Sequence, residues 1–162
     1  MSPAGRLVVI VALLASGCTA PDTPSPATGC GSAVLTDPLP TWARAGFSTD
    51  GSGAPHVLGR RGDILGVLFG NPLTAPPAAD RSNKILWVSR APVTRGDPLE
   101  ITAQLDGTSE TVNREVAGGP GPSGIDLPSP GCWHLTLSWS GNIDTMDLIY
   151  QPGDRASSAT AR

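Results

Sequence analysis

The chain has 162 residues, a formal net charge of −3 and 39% hydrophobic residues, which is typical of one globular domain. Its charges are scattered, so no basic patch points to a nucleic-acid partner. The chain contains 20 glycines and 17 prolines, and no stretch has apolar residues at the spacing of an amphipathic helix. Both observations argue against a mainly helical protein.

The N-terminus is typical of an export signal. Arg6 provides a short basic region, and residues 7–15 form a nine-residue apolar run. That run is shorter than the roughly 20 residues of a membrane-spanning helix, but it suits the core of a signal peptide. We therefore predict a signal peptide over residues 1–17 and export of the remaining chain.

Small residues then precede a cysteine, in the order Ala15-Ser16-Gly17-Cys18. This stretch resembles the lipobox of bacterial lipoproteins. The resemblance implies cleavage before Cys18, acylation of its thiol with a lipid such as palmitate, and anchoring to the outer face of the cytoplasmic membrane. Ala15 departs from the family pattern, in which leucine is usual. The alternative, an ordinary secretory signal with an incidental cysteine, also predicts export.

Residues 18–35 are interpreted as the lipidated cysteine and a flexible tether. Residues 19–29 are rich in Pro, Thr and Ser, a composition that cannot bury much apolar area. These eleven residues, mostly extended, reach roughly 30 Å. We expect the folded domain over 36–152, just off the membrane, followed by a disordered tail over 153–162.

Two cysteines remain once Cys18 is assigned to lipid. In an exported domain, Cys30 and Cys132 predict a disulfide rather than two free thiols. Such a bond closes a loop of about 100 residues and contributes roughly 4–5 kcal/mol in the chain-entropy model. It would connect the start of the domain to the start of the last hairpin.

The first half of the domain contains three predicted strands. Trp42 and Phe47 are expected to anchor the core near its beginning. The strands are predicted over 55–60, 63–69 and 83–90; the second is apolar on both faces, as in a strand covered on both sides. The proline-rich stretch 71–82 is predicted to be an exposed loop.

A first hairpin is predicted over residues 99–116. Apolar and polar residues alternate over 99–105, and Asp106-Gly107 is a strong two-residue turn signal. That turn pairs Thr102 with Thr111. Residues 118–124 are predicted to be a flexible connection, and residues 125–127 a brief strand.

A second hairpin is predicted over residues 131–150, with Gly141-Asn142 as its turn. Counting outward pairs Trp139 with Asp144 and Trp133 with Tyr150. Tryptophan, leucine, methionine and tyrosine side chains then share one face, so that face is expected to lie in the core.

About seven or eight strands with turns between them predict an antiparallel β-sandwich of immunoglobulin-like architecture. A β-barrel is the alternative. The segments Asn83-Lys84-Ile85-Leu86-Trp87-Val88 and Pro130-Gly131-Cys132-Trp133 resemble uncharacterised lipoproteins of high-GC Gram-positive bacteria. That resemblance implies no catalytic residue.

No reactive constellation is evident. The chain lacks a Gly-x-Ser-x-Gly motif, and His134 is expected to be a polar-face strand residue. Asp144 and Asp147 lie on opposite faces near a hairpin tip and are expected to be solvated. The sequence thus predicts a protein that is not an enzyme, with no catalytic residue, no metal and no cofactor.

A copper-binding or redox module like a cupredoxin is the alternative function. Such sites use two histidines, one cysteine and a weak methionine ligand, and the chain has His56, Cys132, His134 and Met146 in that order. The spacing differs from the family, because His134 lies within a predicted strand and Met146 on its inward face.

The leading hypothesis is a membrane-anchored cell-envelope lipoprotein whose sandwich binds or scaffolds another component. Its predicted partners are the membrane, through the lipid, and an envelope protein or small ligand. The loops 71–82 and 118–130 are the candidate recognition surfaces, because sandwiches usually present function on loops.

Overall fold

A computed structural model describes residues 30–153. They contain a single turn of 3-10 helix, Thr41–Ala43, and nine strands. The strands are β1 (His56–Leu58), β2 (Ile64–Leu68), β3 (Leu73–Ala75), β4 (Lys84–Ser89), β5 (Gly96–Leu105), β6 (Thr111–Gly118), β7 (Pro122–Gly124), β8 (Gly131–Trp139) and β9 (Asn142–Pro152).

The strands form two sheets, with orders β1-β2-β4-β7 and β3-β9-β8-β5-β6. Side chains from both sheets meet in one main core, which contains Trp87, Trp133 and Trp139. Each of these three buried indoles donates a hydrogen bond, to Ser123 Oγ, to the Ser129 carbonyl and to Ser89 Oγ respectively. The predicted β-sandwich is confirmed, with nine strands in place of seven or eight.

Strand β2 is buried along its whole length, as its apolar sequence predicts. Its outer face is covered by a smaller core, in which Leu39 and Ala43 pack against Leu65 and Val67. The prediction that Trp42 and Phe47 anchor the core is only partly right. Both are half-buried at the rim of this smaller core, whereas Leu39 and Ala43 have no exposed surface.

The stretch 71–82 is not simply an exposed loop, and that prediction is wrong for residues 73–75. Residues Leu73–Ala75 are buried and form β3, which pairs in parallel with the end of β9. Asn83 holds this short strand in place, because its amide donates to the Thr74 carbonyl and accepts from the Thr74 N–H, both at 2.9 Å. Because β3 and its partner segment in β9 are more than 70 residues apart, the sequence around residues 73–75 contains no pattern that predicts their pairing.

The second predicted hairpin forms, but its register differs from the predicted one by two residues. Trp133 pairs with Leu148, and Trp139 pairs with Asn142. The two turn residues are Ser140 and Gly141, with φ of 46° and 78°. Positive φ at both turn positions is the geometry of a type I′ hairpin. A two-residue shift preserves side-chain alternation, so the predicted inward face is confirmed, with Trp133 and Leu135 at most 1% exposed.

The first predicted hairpin also differs in register by two residues. Thr102 pairs with Asn113 instead of Thr111. Its loop is longer than predicted, because the Leu105 N–H donates to the Glu110 carbonyl. The Thr108 hydroxyl stabilises this loop by donating to the Leu105 carbonyl and accepting from the Glu110 N–H, both at 3.0 Å.

The connection to the last hairpin is also ordered differently from the prediction. Residues Pro122–Gly124, expected to be flexible, form β7 at the edge of the first sheet. Residues 125–127, expected to be a strand, have no strand pairing. They still contribute to the core, since Ile125 and Leu127 are 1% and 2% exposed.

Candidate functional site

Two carboxylates of β9 each accept three hydrogen bonds, and the first of them, Asp147, lies on the outer face of the strand. It accepts hydrogen bonds from His134 Nδ1 at 2.7 Å, Arg60 Nη2 at 2.8 Å and the Gly31 N–H at 2.9 Å. Only 4% of Asp147 is exposed. The prediction of a solvated Asp147 is therefore wrong, because the chain preceding the first strand covers it.

We call this covering segment, residues 30–35, the N-terminal strap. The predicted disulfide joins its first residue, Cys30, to Cys132 of β8 and is confirmed, with Cα atoms 5.5 Å apart. Ser32 Oγ accepts a hydrogen bond from the Asp147 N–H at 2.8 Å. At the other end, Leu35 exchanges two backbone hydrogen bonds with His56 of β1. The strap thus crosses from one sheet to the other, although its residues were assigned to the flexible tether.

Electrostatics favour the charged forms of the groups beside the strap. Hydrogen bonds to Asp147 and then to Asp106, whose Oδ1 lies 3.3 Å from His134 Nε2, raise the pKa of His134. Burial alone would raise the pKa of Asp147. The hydrogen bonds from His134, Gly31 and Arg60 outweigh burial, so the pKa of Asp147 is lowered. The expected polar-face position of His134 is confirmed, since its side chain is 46% exposed.

The second buried carboxylate, Asp144, is fully buried, so its predicted solvation is also wrong. It accepts hydrogen bonds from the backbone N–H groups of Arg61 at 2.8 Å, Asp63 at 3.0 Å and Thr145 at 2.7 Å. Gly59 lies directly against this carboxylate, where an added Cβ would overlap it. Asp144 therefore fixes the turn between β1 and β2 to the other sheet, and its oxygens are occupied by the backbone.

The four copper candidates do not form one site. Cys132 is bonded to Cys30, and Met146 is fully buried in the core. His134 faces outward, whereas His56 is buried on the other sheet with Nδ1 2.9 Å from the Ala54 carbonyl oxygen. Within residues 30–153, no group of three or more His, Cys, Asp or Glu side chains is placed to hold a metal ion.

The two predicted recognition loops meet at a cleft of about 630 Å³. Proline rings dominate its walls, and none of its lining residues is charged; we call it the proline cleft. The lining residues are Ala75, Pro76, Pro128, Ser129, Pro130, Pro152 and Gly153.

Two contacts hold the walls of the proline cleft together. The Asn83 amide donates to Asp126 at 2.9 Å, which connects the end of one loop to the other. The Gly153 N–H donates to the Ala75 carbonyl at 3.0 Å, and an added Cβ at Gly153 would collide with the Pro76 carbonyl. The arrangement is suited to contact with an uncharged surface, since proline rings are rigid and donate no backbone hydrogen bond.

Comparison with known proteins finds no match for this chain among family models, curated proteins or solved structures. Over residues 30–153, no helix has the length and apolar character needed to cross a bilayer. The signal-peptide residues, Cys18 and the tail after Gly153 lie outside the described residues.

Sequence reasoning missed the cluster of Asp147, His134 and Arg60. The predicted register placed Thr136 opposite Asp147, whereas the observed register places His134 there. Assigning the turn to Ser140 and Gly141 would have predicted that His134 pairs with Asp147. Arg60 and the strap come from distant parts of the chain, and no sequence signal indicated their approach.

Proposed function

We propose that the protein is an exported lipoprotein, acylated at Cys18 and held at the outer face of the cytoplasmic membrane. Its sandwich binds or scaffolds another cell-envelope component and is not an enzyme. The observation that carries this proposal is the Cys30–Cys132 disulfide. Such bonds persist in oxidising compartments outside the cytoplasm, and this one begins twelve residues after the lipobox cysteine.

The strap suits a domain that hangs from its N-terminus. A pull transmitted along the chain from Cys18 reaches the covalent bond at Cys30 before any strand. Beyond it, the Gly31 N–H and the Ser32 hydroxyl are already bonded to Asp147 in β9. The load is therefore shared by β8 and β9, the longest antiparallel pair in the second sheet, so the sandwich would keep its shape under tension.

The proline cleft is the proposed recognition surface. It is walled by both recognition loops and has no charged lining residue. Rigid proline rings lose little conformational entropy when a partner docks on them. An apolar segment of an envelope protein, or an uncharged small ligand, has the matching chemistry.

The anchor is tested by labelling cells with an alkyne analogue of palmitate. The wild-type protein is expected to incorporate the label and to fractionate with membranes, whereas Cys18→Ser is expected to lose both properties. A double Cys30→Ser, Cys132→Ser variant is the control and should remain labelled. Absence of label on the wild-type protein, or persistence of label in Cys18→Ser, would refute the anchor.

The recognition surface is tested by site-specific photocrosslinking in cells. A photoreactive residue at Ser129, in the proline cleft, is expected to give one discrete adduct identifiable by mass spectrometry. The same residue at Thr136, exposed on the outer face of β8, is the matched control and should give none. Equal adducts from both positions would argue against the cleft.

A further inference from the structure

Three of the seven large apolar side chains that are exposed among residues 30–153 lie in, or next to, segments that border one groove at the strap. Val34 is 48% exposed, Phe69 53% and Ile149 56%. Val34 and Ile149 line the same groove of about 140 Å³, together with Leu68, the residue before Phe69. We call Val34, Phe69 and Ile149 the strap-side surface. Solvent exposure of large apolar groups in one region commonly marks an interaction surface.

The chain leaves the sandwich beside this surface. Ile149 is the direct cross-strand partner of Cys132, and Cys132 holds Cys30, the first described residue. Eleven residues separate Cys30 from Cys18, and a chain of that length spans at most roughly 40 Å even when fully extended.

That tether length limits how the domain can face a membrane. A domain of this size has a radius of gyration of about 14 Å and is roughly 35 Å across. If the strap pointed away from the bilayer, the tether would have to follow the surface for roughly 55 Å. Because its reach is shorter than this path, an anchor at Cys18 keeps the strap side near the lipid.

We propose that the strap-side surface rests on the lipid bilayer and sets the orientation of the domain. The inference rests on the proposed acylation of Cys18. Lys84 supports it, because its ammonium lies 5.8 Å from the centroid of the Phe69 ring. Phenylalanine side chains insert at the boundary between headgroups and acyl chains, and a neighbouring cation is attracted to anionic lipids.

The same strand contains a matched control. Ile143 lies six residues before Ile149, has the same outward parity and is 53% exposed. At about 3.3 Å per residue, the two side chains are roughly 20 Å apart. Ile143 should therefore remain in water when Ile149 contacts lipid.

The test uses hydroxyl-radical labelling read by mass spectrometry. The chain that begins at Cys18, without the predicted signal peptide, is coupled through that residue, its only cysteine outside the disulfide, to a maleimide phospholipid. It is then inserted into vesicles of phosphatidylcholine and phosphatidylglycerol. Relative to the uncoupled chain in buffer, labelling of Val34, Phe69 and Ile149 is expected to fall several-fold. Labelling of Ile143 should stay unchanged.

Two outcomes would overturn the proposal. Equal labelling changes at Ile149 and Ile143 would show that the strap-side surface has no preferred contact with lipid. Protection without vesicles that grows with protein concentration would assign the surface to a second copy of the chain. Because the lipid is attached chemically, either result is independent of whether cells acylate Cys18, which palmitate labelling decides separately.

Single substitutions sharpen the test. Ile149→Asp is expected to restore labelling of Val34 and Phe69 on vesicles, whereas Ile143→Asp is expected to leave their protection intact. Both positions are exposed, so neither change removes core contacts. If either variant failed to fold, the wild-type labelling pattern would still decide the question.

Discussion

His134 and Asp147 stand directly opposite each other on β8 and β9, and their side chains meet with Nδ1 2.7 Å from Oδ1. Asp147 lies under the N-terminal strap, whose Gly31 N–H donates to the same carboxylate, whereas the His134 side chain is half exposed beside it. A titratable imidazole is therefore connected, through one carboxylate, to the segment by which the proposed anchor holds the domain.

The first prediction concerns pH. The pKa of His134 is raised in the folded state, chiefly by Asp147 and then by Asp106. The folded state therefore binds this proton more tightly than the unfolded state. The resulting stabilisation is fully present below the unfolded pKa of about 6.5 and is lost as pH rises through the folded value.

Because His134 is 46% exposed, solvent screening should limit the effect to less than about 1 kcal/mol. Urea unfolding at pH 5.5 and pH 8.5 measures it, with His134→Gln as the control that cannot titrate. The wild-type protein should gain stability at pH 5.5 relative to that variant. Identical pH dependence in the two proteins would contradict the prediction.

The second prediction concerns the buried carboxylate. Asp147→Asn removes the charge that faces Arg60 and His134 and turns one acceptor into a donor. We expect a loss of about 1–3 kcal/mol in the free energy of unfolding. Asp106→Asn alters a side chain that is 59% exposed and should change stability by less than about 0.5 kcal/mol. Equal effects of the two substitutions would show that burial of Asp147 is unimportant.

The third prediction concerns close approach at Gly59. The Cβ introduced by Gly59→Ala would overlap the Asp144 carboxylate. That carboxylate accepts hydrogen bonds from three backbone N–H groups. Displacing that carboxylate should cost about 1–3 kcal/mol. Gly124→Ala is the matched control, since a Cβ there meets nothing within 4 Å. Thermal unfolding of both variants compares them, and a stable Gly59→Ala protein would refute the role of Asp144.

The fourth prediction concerns the disulfide, which spans 102 residues. Replacing both of its cysteines by serine should lower the free energy of unfolding by roughly 4–5 kcal/mol. Amide exchange at Gly31 should also accelerate, because the strap would then be held by hydrogen bonds alone. Cys18→Ser is the control and should change neither quantity. Unchanged exchange at Gly31 would mean that the bond does not hold the strap.

Side-chain alternation was the part of the fold that the sequence predicted best. Leu99, Ile101 and Ala103 are buried as expected, and so are Trp133 and Leu135. Alternation depends only on neighbours along one strand, so it can be read without knowing the partner strand. The disulfide was predictable for a similar reason, since export and two remaining cysteines restrict the choice.

Cross-strand pairing was not predictable in the same way. Both hairpins are two residues out of the predicted register, and a shift of two leaves every side chain on its own face. The hydrophobic pattern is therefore equally satisfied by both registers. Backbone geometry at Ser140 and Gly141, and the longer loop beginning at Asp106, decide between them.

The sequence by itself determined a two-sheet sandwich with an inward tryptophan face and a disulfide at its N-terminal end. Only the tertiary structure decided that Asp144 and Asp147 are buried, that Leu73–Ala75 pairs with β9, and that two proline-rich loops share one cleft. The reason is physical. Alternation is a local property of a strand. Burial of the Asp147 carboxylate depends instead on the donors Gly31 and Arg60, which lie 116 and 87 residues from Asp147 along the chain.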